Sequence, residues 1–197
     1  MIDAAWLIPA FPLVGFSLLV LFGRRLGEPA AGWLATFASL GSFVTTVVVF
    51  AGLLGEPADE RFHIQTIFTW IAAGSFSVDI GLLVDPLAIT MCLFITGVGT
   101  LIHLYSIGYM HGDPNFSKFF IYLNLFIASM ILLVLGDNLL LTFLGWEGVG
   151  ACSYLLISFW FGDEANAGAG KKAFVTNRVG DFGFMLATFL LFVELGS

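Results

Sequence analysis

The stretch NLLLTFLGWEGVGACSYLLISFWF, residues 138–161, decides the fold class. Its length and apolarity suit a helix crossing a hydrocarbon core of about 30 Å, a distance that takes about 20 residues. Glu147 stands at its middle. An ionisable side chain at that depth costs about 2.5–3.5 kcal/mol even on lenient insertion scales, so such groups face a bundle interior or a water path and serve ion or proton movement. One segment thus predicts both a membrane helix and a transport role for its carboxylate.

The whole chain has the same character. Hydrophobic residues make up 59% of its 197 positions and charged ones 11%, and the mean hydropathy is +0.99, far from the averages of soluble domains. Five further runs are long enough to span: Ala4–Phe22, Ala30–Leu54, Pro86–Tyr109, Phe116–Leu135 and Lys172–Leu195. Because backbone polar groups in lipid must be paired internally, these runs read as helices. The expected fold is an all-α polytopic membrane protein of about six transmembrane helices. The acidic start Met1-Ile2-Asp3 lacks the basic region of a signal peptide, so the first run is expected to remain as a span.

The connection Gly55 to Asp85 is organised differently. Phe62, Ile64, Phe68 and Trp70 alternate with polar residues, as do Phe76, Val78 and Ile80, with Ala72-Ala73-Gly74-Ser75 between them. Period two predicts a β-hairpin between helices two and three. An isolated hairpin is marginal in water, so its apolar face is expected to pack on the helix ends or on a neighbouring subunit. The chain therefore divides into residues 1–54 with two helices, 55–85 with the hairpin, and 86–197 with helices three to six of one membrane domain.

Basic residues set the orientation, because Lys and Arg are retained on the cytoplasmic side. Arg24, Arg25, Lys118, Lys171 and Lys172 fall at one end of the spans, and Arg61 lies in an opposite loop. The expected topology has the N-terminus and the hairpin outside, and Ser197 near the end of a complete span. Asp85-Pro86 and Asp113-Pro114 read as helix caps followed by proline in the first turn, and Asp137 as a cap of helix five.

Several chemistries find no support. The net charge of −7 and scattered basic residues argue against nucleic acid. Cys92 and Cys152 lie inside apolar runs and read as buried hydrophobes, and neither they nor His63, His103 and His111 form a metal-ligand pattern. Gly97-Val-Gly99 lacks the context of a dinucleotide fingerprint. No cofactor and no redox site are expected in this chain.

A second polar cluster lies in KKAFVTNRVGDFGF, residues 171–184. At about 100° per residue, Lys171, Asn177, Arg178 and Asp181 gather on one face, extended by Thr188. Arg178 and Asp181, three apart, can meet directly, either as a structural ion pair or as part of a transport path. In the preceding span Glu147, Tyr154 and Ser158 share a face, while Gly145, Gly148 and Gly150 permit close helix approach and leave room for water. His103 shares a face with Thr96 and Thr100 and is a candidate either for proton relay or for a hydrogen-bonded core position.

LLVDPL, LIHLYSIGYMHGDP, FFIYLNLF, LLVLGDNLLLTFLGWEGVGACSYLLISFW and KKAFVTNRVGDFGF together resemble the successive signatures of the largest antiporter-like membrane subunit of respiratory complex I, subunit L or mitochondrial subunit 5. The resemblance covers essentially everything after the first two spans. It implies a proton-translocating subunit of NADH:quinone oxidoreductase with Glu147 on the proton pathway. Lys171, Lys172, Arg178 and Asp181 would fall at charge-coupling positions, and His103 at a polar position of helix three. It further implies a translocase whose flavin, iron–sulfur clusters and quinone chemistry belong to partner subunits. The membrane would be a bacterial plasma membrane, with the mitochondrial inner membrane as the alternative. Family members continue into a seventh helix whose lysine partners the helix-five glutamate, so this sequence reads as the N-terminal portion of a longer subunit. Two other functions fit these residues: the large subunit of a multisubunit sodium/proton antiporter, and a membrane scaffold whose charges only lock helices together.

Overall fold

A computed structural model describes residues 1–74 and 76–195 of the chain. Ser75 of the expected turn and Ser197 of the expected span end lie outside the described residues. After a short 3-10 turn at Ile2–Ala4 come α1 (Leu7–Leu26), α2 (Ala30–Leu54), β1 (His63–Ala73), β2 (Phe76–Val84), α3 (Pro86–Tyr109), α4 (Phe116–Leu135), α5 (Leu139–Ile157) and α6 (Glu164–Leu195). Ile2–Leu26, α2, α3, α4 and α5 are long and apolar enough to cross a membrane. At 32 residues α6 is the longest helix, but Glu164, Lys171, Lys172 and Arg178 load its first half with charge and Asp181 and Glu194 follow in the second. Among the described residues five helices are therefore long and apolar enough to span where six were expected; the run Lys172–Leu195 is helical within α6 but its charged residues keep it out of that set.

Three expected boundaries shift for identifiable reasons. α5 stops at Ile157 rather than Phe161, where Ser158 donates its hydroxyl to the Tyr154 carbonyl at 2.6 Å and its amide to the same oxygen at 3.0 Å. α6 begins at Glu164, well before Lys172: Asp163 accepts the Ala165 amide at 2.9 Å through its side chain and the Ala167 amide at 3.0 Å through its carbonyl, so local hydrogen bonding starts a helix that apolarity does not announce. α1 runs on to Leu26, placing Arg24 and Arg25 in its last turn, where cations favour the helix dipole.

The caps divide similarly. Asp85 accepts the Ala88 amide at 2.7 Å, as its DP spacing predicts. Asp113 does not cap α4: the helix starts at Phe116, and Asp113 accepts the Asn115 amide at 2.7 Å and the Trp160 indole at 2.9 Å. Nor does Asp137 cap α5. Asn138 takes that position through Oδ1, which accepts the Leu141 amide at 2.9 Å, and its Nδ2 donates to Asp137 at 2.7 Å.

β1 and β2 pair antiparallel with irregularities at Thr66/Phe68 and Thr69/Ile71. One strand alone packs its side chains into the core: Leu82 and Val84 of β2 join a cluster with Ile8, Leu53, Ile89, Cys92, Ile131 and Leu135, and Val78 is buried as well. β1 leaves Ile64, Phe68 and Trp70 exposed. Two polar ties fix the hairpin to this end of the bundle. Gln65 accepts the Trp6 amide at 3.1 Å and donates to the Asp3 carbonyl at 2.8 Å, and Asn138 Nδ2 donates to the Asp79 carbonyl at 2.9 Å. Arg61, the basic residue at this end, donates to the carbonyls of Glu56 (2.8 Å) and Leu54 (3.3 Å), satisfying backbone oxygens where α2 ends.

α4 packs against α1, α2, α3 and α5, whereas α6 packs chiefly on α5. Toward the end opposite the hairpin, Leu19, Ala31, Ala35, Met110, Phe116, Phe120 and Phe159 form a second buried cluster. Hydroxyls inside the helices are not left open. Thr36, Thr46, Thr96 and Thr100 donate to carbonyls four residues back at 2.6–2.8 Å, which removes the cost of burying them.

Candidate functional site: an ion triad between helices five and six

The glycines around Glu147 serve two different neighbours. A Cβ on Gly145 would stand 2.6 Å from Leu133 Cα, and one on Gly148 2.8 Å from Ser129 Cβ, so both mark close approach to α4. A Cβ on Gly150 would stand 2.9 Å from Asn177 Nδ2 of α6. α5 continues unbroken through all three. Clamped to α4 on one side, it presents Glu147, Tyr154 and Ser158 to α6. Ser158 lies against Gly170, and the Tyr154 ring packs on Phe174 with centroids 5.5 Å apart.

On that face Arg178 pairs directly with Glu147 through Nη1. The same nitrogen lies 3.3 Å from Asp181 Oδ2, close enough for charge pairing but not aligned as a hydrogen bond. Arg178 also lies over the Phe174 ring, with Cζ 4.4 Å from its centroid. Asp181 is 2% exposed, and its Oδ1 accepts the indole N–H of Trp146 at 2.6 Å. Two carboxylates thus share one guanidinium, giving the triad a formal charge of −1. Leaving a buried charge without a partner is costly, so the position of Arg178 decides which of the two acids holds the counter-charge.

The other candidates lie apart from this contact. Lys171 and Lys172 are exposed, and Lys171 lines a small cavity with Lys118, Tyr122, Tyr154 and Ser158 at the basic end of the bundle. Thr188 donates its hydroxyl to the Phe184 carbonyl at 3.0 Å and borders a larger apolar cavity beside Asp79 and Asp137. His103 is 1% exposed and bonded elsewhere. Its Nδ1 faces the Gly99 carbonyl at 2.8 Å, and its Nε2 faces Asn124 Nδ2 at 3.3 Å. A carbonyl can only accept, so Nδ1 carries the proton and Nε2 accepts from the amide. This is the geometry of a satisfied core histidine between α3 and α4.

Trp146, Phe174 and Asn124 escaped the sequence reading. Each is an ordinary residue of an apolar run whose role comes from a partner on another helix or an adjoining turn. Trp146 stood immediately before Glu147, and that adjacency was the available signal. Among the described residues no cluster of three or more His, Cys, Asp or Glu side chains is arranged to hold a metal ion.

Comparison with known proteins places this geometry in context. Residues 70–120 match the family described as NADH-Ubiquinone oxidoreductase (complex I), chain 5 N-terminus. Residues 136–197 match NADH:quinone oxidoreductase/Mrp antiporter, TM. The chain is 49% identical over 192 residues to NADH-quinone oxidoreductase subunit L of Mycobacterium tuberculosis, covering 98% of this chain and 30% of the relative. It is 46% identical over 186 residues to subunit L of Escherichia coli, covering 94% and 30%. It is 42% identical over 196 residues to the chloroplastic NAD(P)H-quinone oxidoreductase subunit 5 of Mesostigma viride, covering 98% and 30%. The chain therefore spans about 30% of the length of the relatives it matches. Among solved structures, the membrane-bound sulfane sulfur reductase, an archaeal respiratory membrane complex, superposes with a TM-score of 0.81 at 18% identity, covering 98% of this chain and 38% of the other. The Mrp complex from Dietzia superposes with a TM-score of 0.80 at 22% identity, covering 98% and 20%. These two share the fold. The chain belongs to the family of antiporter-like membrane subunits represented by NADH-quinone oxidoreductase subunit L and its organellar subunit 5 counterparts.

Proposed function

We propose that this chain is the part of a proton-translocating subunit of NADH:quinone oxidoreductase in which Glu147 takes up and releases a proton as its counter-charge moves. The observation that carries the reading is Arg178 paired with Glu147 while lying 3.3 Å from Asp181. With the guanidinium on Glu147 the carboxylate is stabilised as an anion; with the guanidinium drawn to Asp181, Glu147 binds a proton more readily. A lysine on the further helix that the family implies would act on Glu147 in the same sense. Lys171, at the basic end and beside Tyr154, supplies a charged approach to this face, and Lys172 adds to the field there. His103, held by Gly99 and Asn124, stands outside this path.

Electron transfer belongs to other subunits in this reading. NADH oxidation and quinone reduction, ubiquinone or menaquinone, take place on flavin and iron–sulfur partners, and their conformational or electrostatic changes reach the bundle through the membrane domain. The basic ends of α1, α4 and α6 face the cytoplasm of a bacterial plasma membrane, with the N-terminus and hairpin outside. Cysteine-accessibility labelling tests the orientation: labelling of residue 25 or 171 from the outer medium overturns it. The match to the NADH:quinone oxidoreductase/Mrp antiporter family keeps a cation-antiporter assembly as the second reading. Co-purification of flavin and iron–sulfur proteins supports the first, and a cation-antiporter subunit set the second.

Glu147→Gln is the direct test, because it keeps size and hydrogen bonding while removing titration. The expected outcome is an assembled complex with impaired proton pumping per electron in vesicles and slowed quinone reduction. Normal stoichiometry and rate leave Glu147 a structural role and favour the scaffold.

A further inference from the structure

We infer that Trp146 is a positioning residue: its indole N–H fixes the Asp181 carboxylate and thereby decides how Arg178 is divided between Asp181 and Glu147. The inference rests on the proton-carrier reading of Glu147 and adds to it a residue that neither titrates nor carries charge.

The geometry isolates the contact. Asp181 is 2% exposed, so no solvent shell stands in for a lost donor. Oδ1 is held by Trp146 at 2.6 Å, and Oδ2 has Arg178 Nη1 at 3.3 Å without hydrogen-bond alignment. The indole thus satisfies one of the two Asp181 oxygens, Oδ1, while the guanidinium is engaged with Glu147 and only approaches Oδ2. Arg178 Nε has no hydrogen-bond partner, and the guanidinium lies against Phe174. Its position is set by stacking and by two acids, not by a fixed bidentate fork. From α5 the titratable groups on this face are Glu147 and, two turns on, Tyr154. From α6 they are Arg178, Asp181 and, two turns before Arg178, Lys171. Because Trp146 and Glu147 are consecutive on α5, a shift of α5 along α6 changes the indole contact and the ion pair together.

Removing the N–H leaves Oδ1 a buried, unpaired acceptor, and the donor already within reach is Arg178. The guanidinium is drawn toward Asp181, Glu147 loses counter-charge, and the acid limb of pumping moves to higher pH. The expected size is about one pH unit, corresponding to the loss of one charge-assisted hydrogen bond.

The experiment uses the assembled complex in vesicles and measures proton pumping per electron against pH. Trp146→Phe keeps an aromatic ring and deletes the donor, and should shift the profile upward. Trp146→His restores an N–H and should return it toward wild type. In an Asp181→Asn background Trp146→Phe should add no shift, because no carboxylate remains to compete for Arg178. An unshifted profile in Trp146→Phe, a downward shift, or an equal shift with and without Asp181 overturns the inference. So does failure of Trp146→His to rescue. Glu147→Gln in the same series keeps the two ideas separate: normal pumping there defeats the proton-carrier reading, whereas loss there with an unshifted Trp146→Phe defeats the role of Trp146 alone. If Trp146→Phe lowers the amount of assembled complex, the same comparison is read from the tryptophan analogue benzothienylalanine, which retains the ring system without the N–H.

Discussion

Gly145→Ala should damage the site from its far side, without touching a charge. The added Cβ would stand 2.6 Å from Leu133 Cα and 2.9 Å from Leu133 Cβ, where ordinary contact begins at 3.4 Å. The obstacle is backbone, so no rotamer change relieves it. Either α4 and α5 part by about 1 Å or the chain distorts, and overpacking of this kind costs about 1–3 kcal/mol. Alanine regains about 1 kcal/mol over glycine in a helix, which leaves a net loss of about 1 kcal/mol at the middle of that range. The displacement has a direction, because moving α5 away from Leu133 alters its seating on α6, where Glu147 meets Arg178. Purified complex carrying Gly145→Ala should lose pumping at a lower temperature than wild type and pump fewer protons per electron before it unfolds. Gly108→Ala is the control, since its Cβ would meet nothing within 4 Å. Wild-type thermal stability and stoichiometry in Gly145→Ala would refute the close α4–α5 contact and the mechanical link to the triad.

Two further changes test the loops. Glu28 accepts the Gly112 amide at 3.0 Å and pairs with His111, joining the α1–α2 and α3–α4 loops. That amide, and then His111, hold its carboxyl below the ordinary value of 4.5. The stability it adds is therefore complete above 4.5 and is lost as pH falls through the lowered value. The melting-temperature gap between wild type and Glu28→Gln should be constant at neutral pH and close in acid; a gap that grows on acidification contradicts the pairing. Asn138→Ala removes the α5 cap, costing about 1 kcal/mol, and also the tie to the Asp79 carbonyl. Asn138→Asp keeps the cap, loses the tie and should fall between, with proteolysis of the hairpin as the readout.

Much of the architecture could be read from the chain itself, because lipid imposes strong rules on it. Ala30–Leu54, Pro86–Tyr109 and Phe116–Leu135 are helices at the expected bounds, where apolar length decides. The hairpin was legible from period two, but not that β2 alone would pack, since either strand offers apolar residues. Boundaries failed where local hydrogen bonding outweighed hydropathy, at Ser158 and at Asn138. In the candidate site, the spacing of Arg178 and Asp181 on one helix foretold their contact. The pairing of Arg178 with Glu147 and of Trp146 with Asp181 joins residues 31 and 35 positions apart. A helical pattern identifies a face but not what lies opposite it, which is why His103, on a promising polar face, meets Asn124 instead of the triad.

The triad sits where the last helix described meets the bundle. α1 to α4 carry the two buried clusters, with α4 touching three helices besides α5. α5 is fixed to α4 through Gly145 and Gly148. α6 packs chiefly on α5, through the stacked rings of Phe143 and Phe184 (5.5 Å), the Tyr154–Phe174 contact and the ion triad. Under the proposed function, Arg178 of α6 is the counter-charge of Glu147 on α5, so relative displacement of these two helices is the motion that would change the charge state of the carboxylate. The fully buried acid of the triad is Asp181, and the half-buried Glu147 faces it across the α5–α6 seam with Arg178 between them.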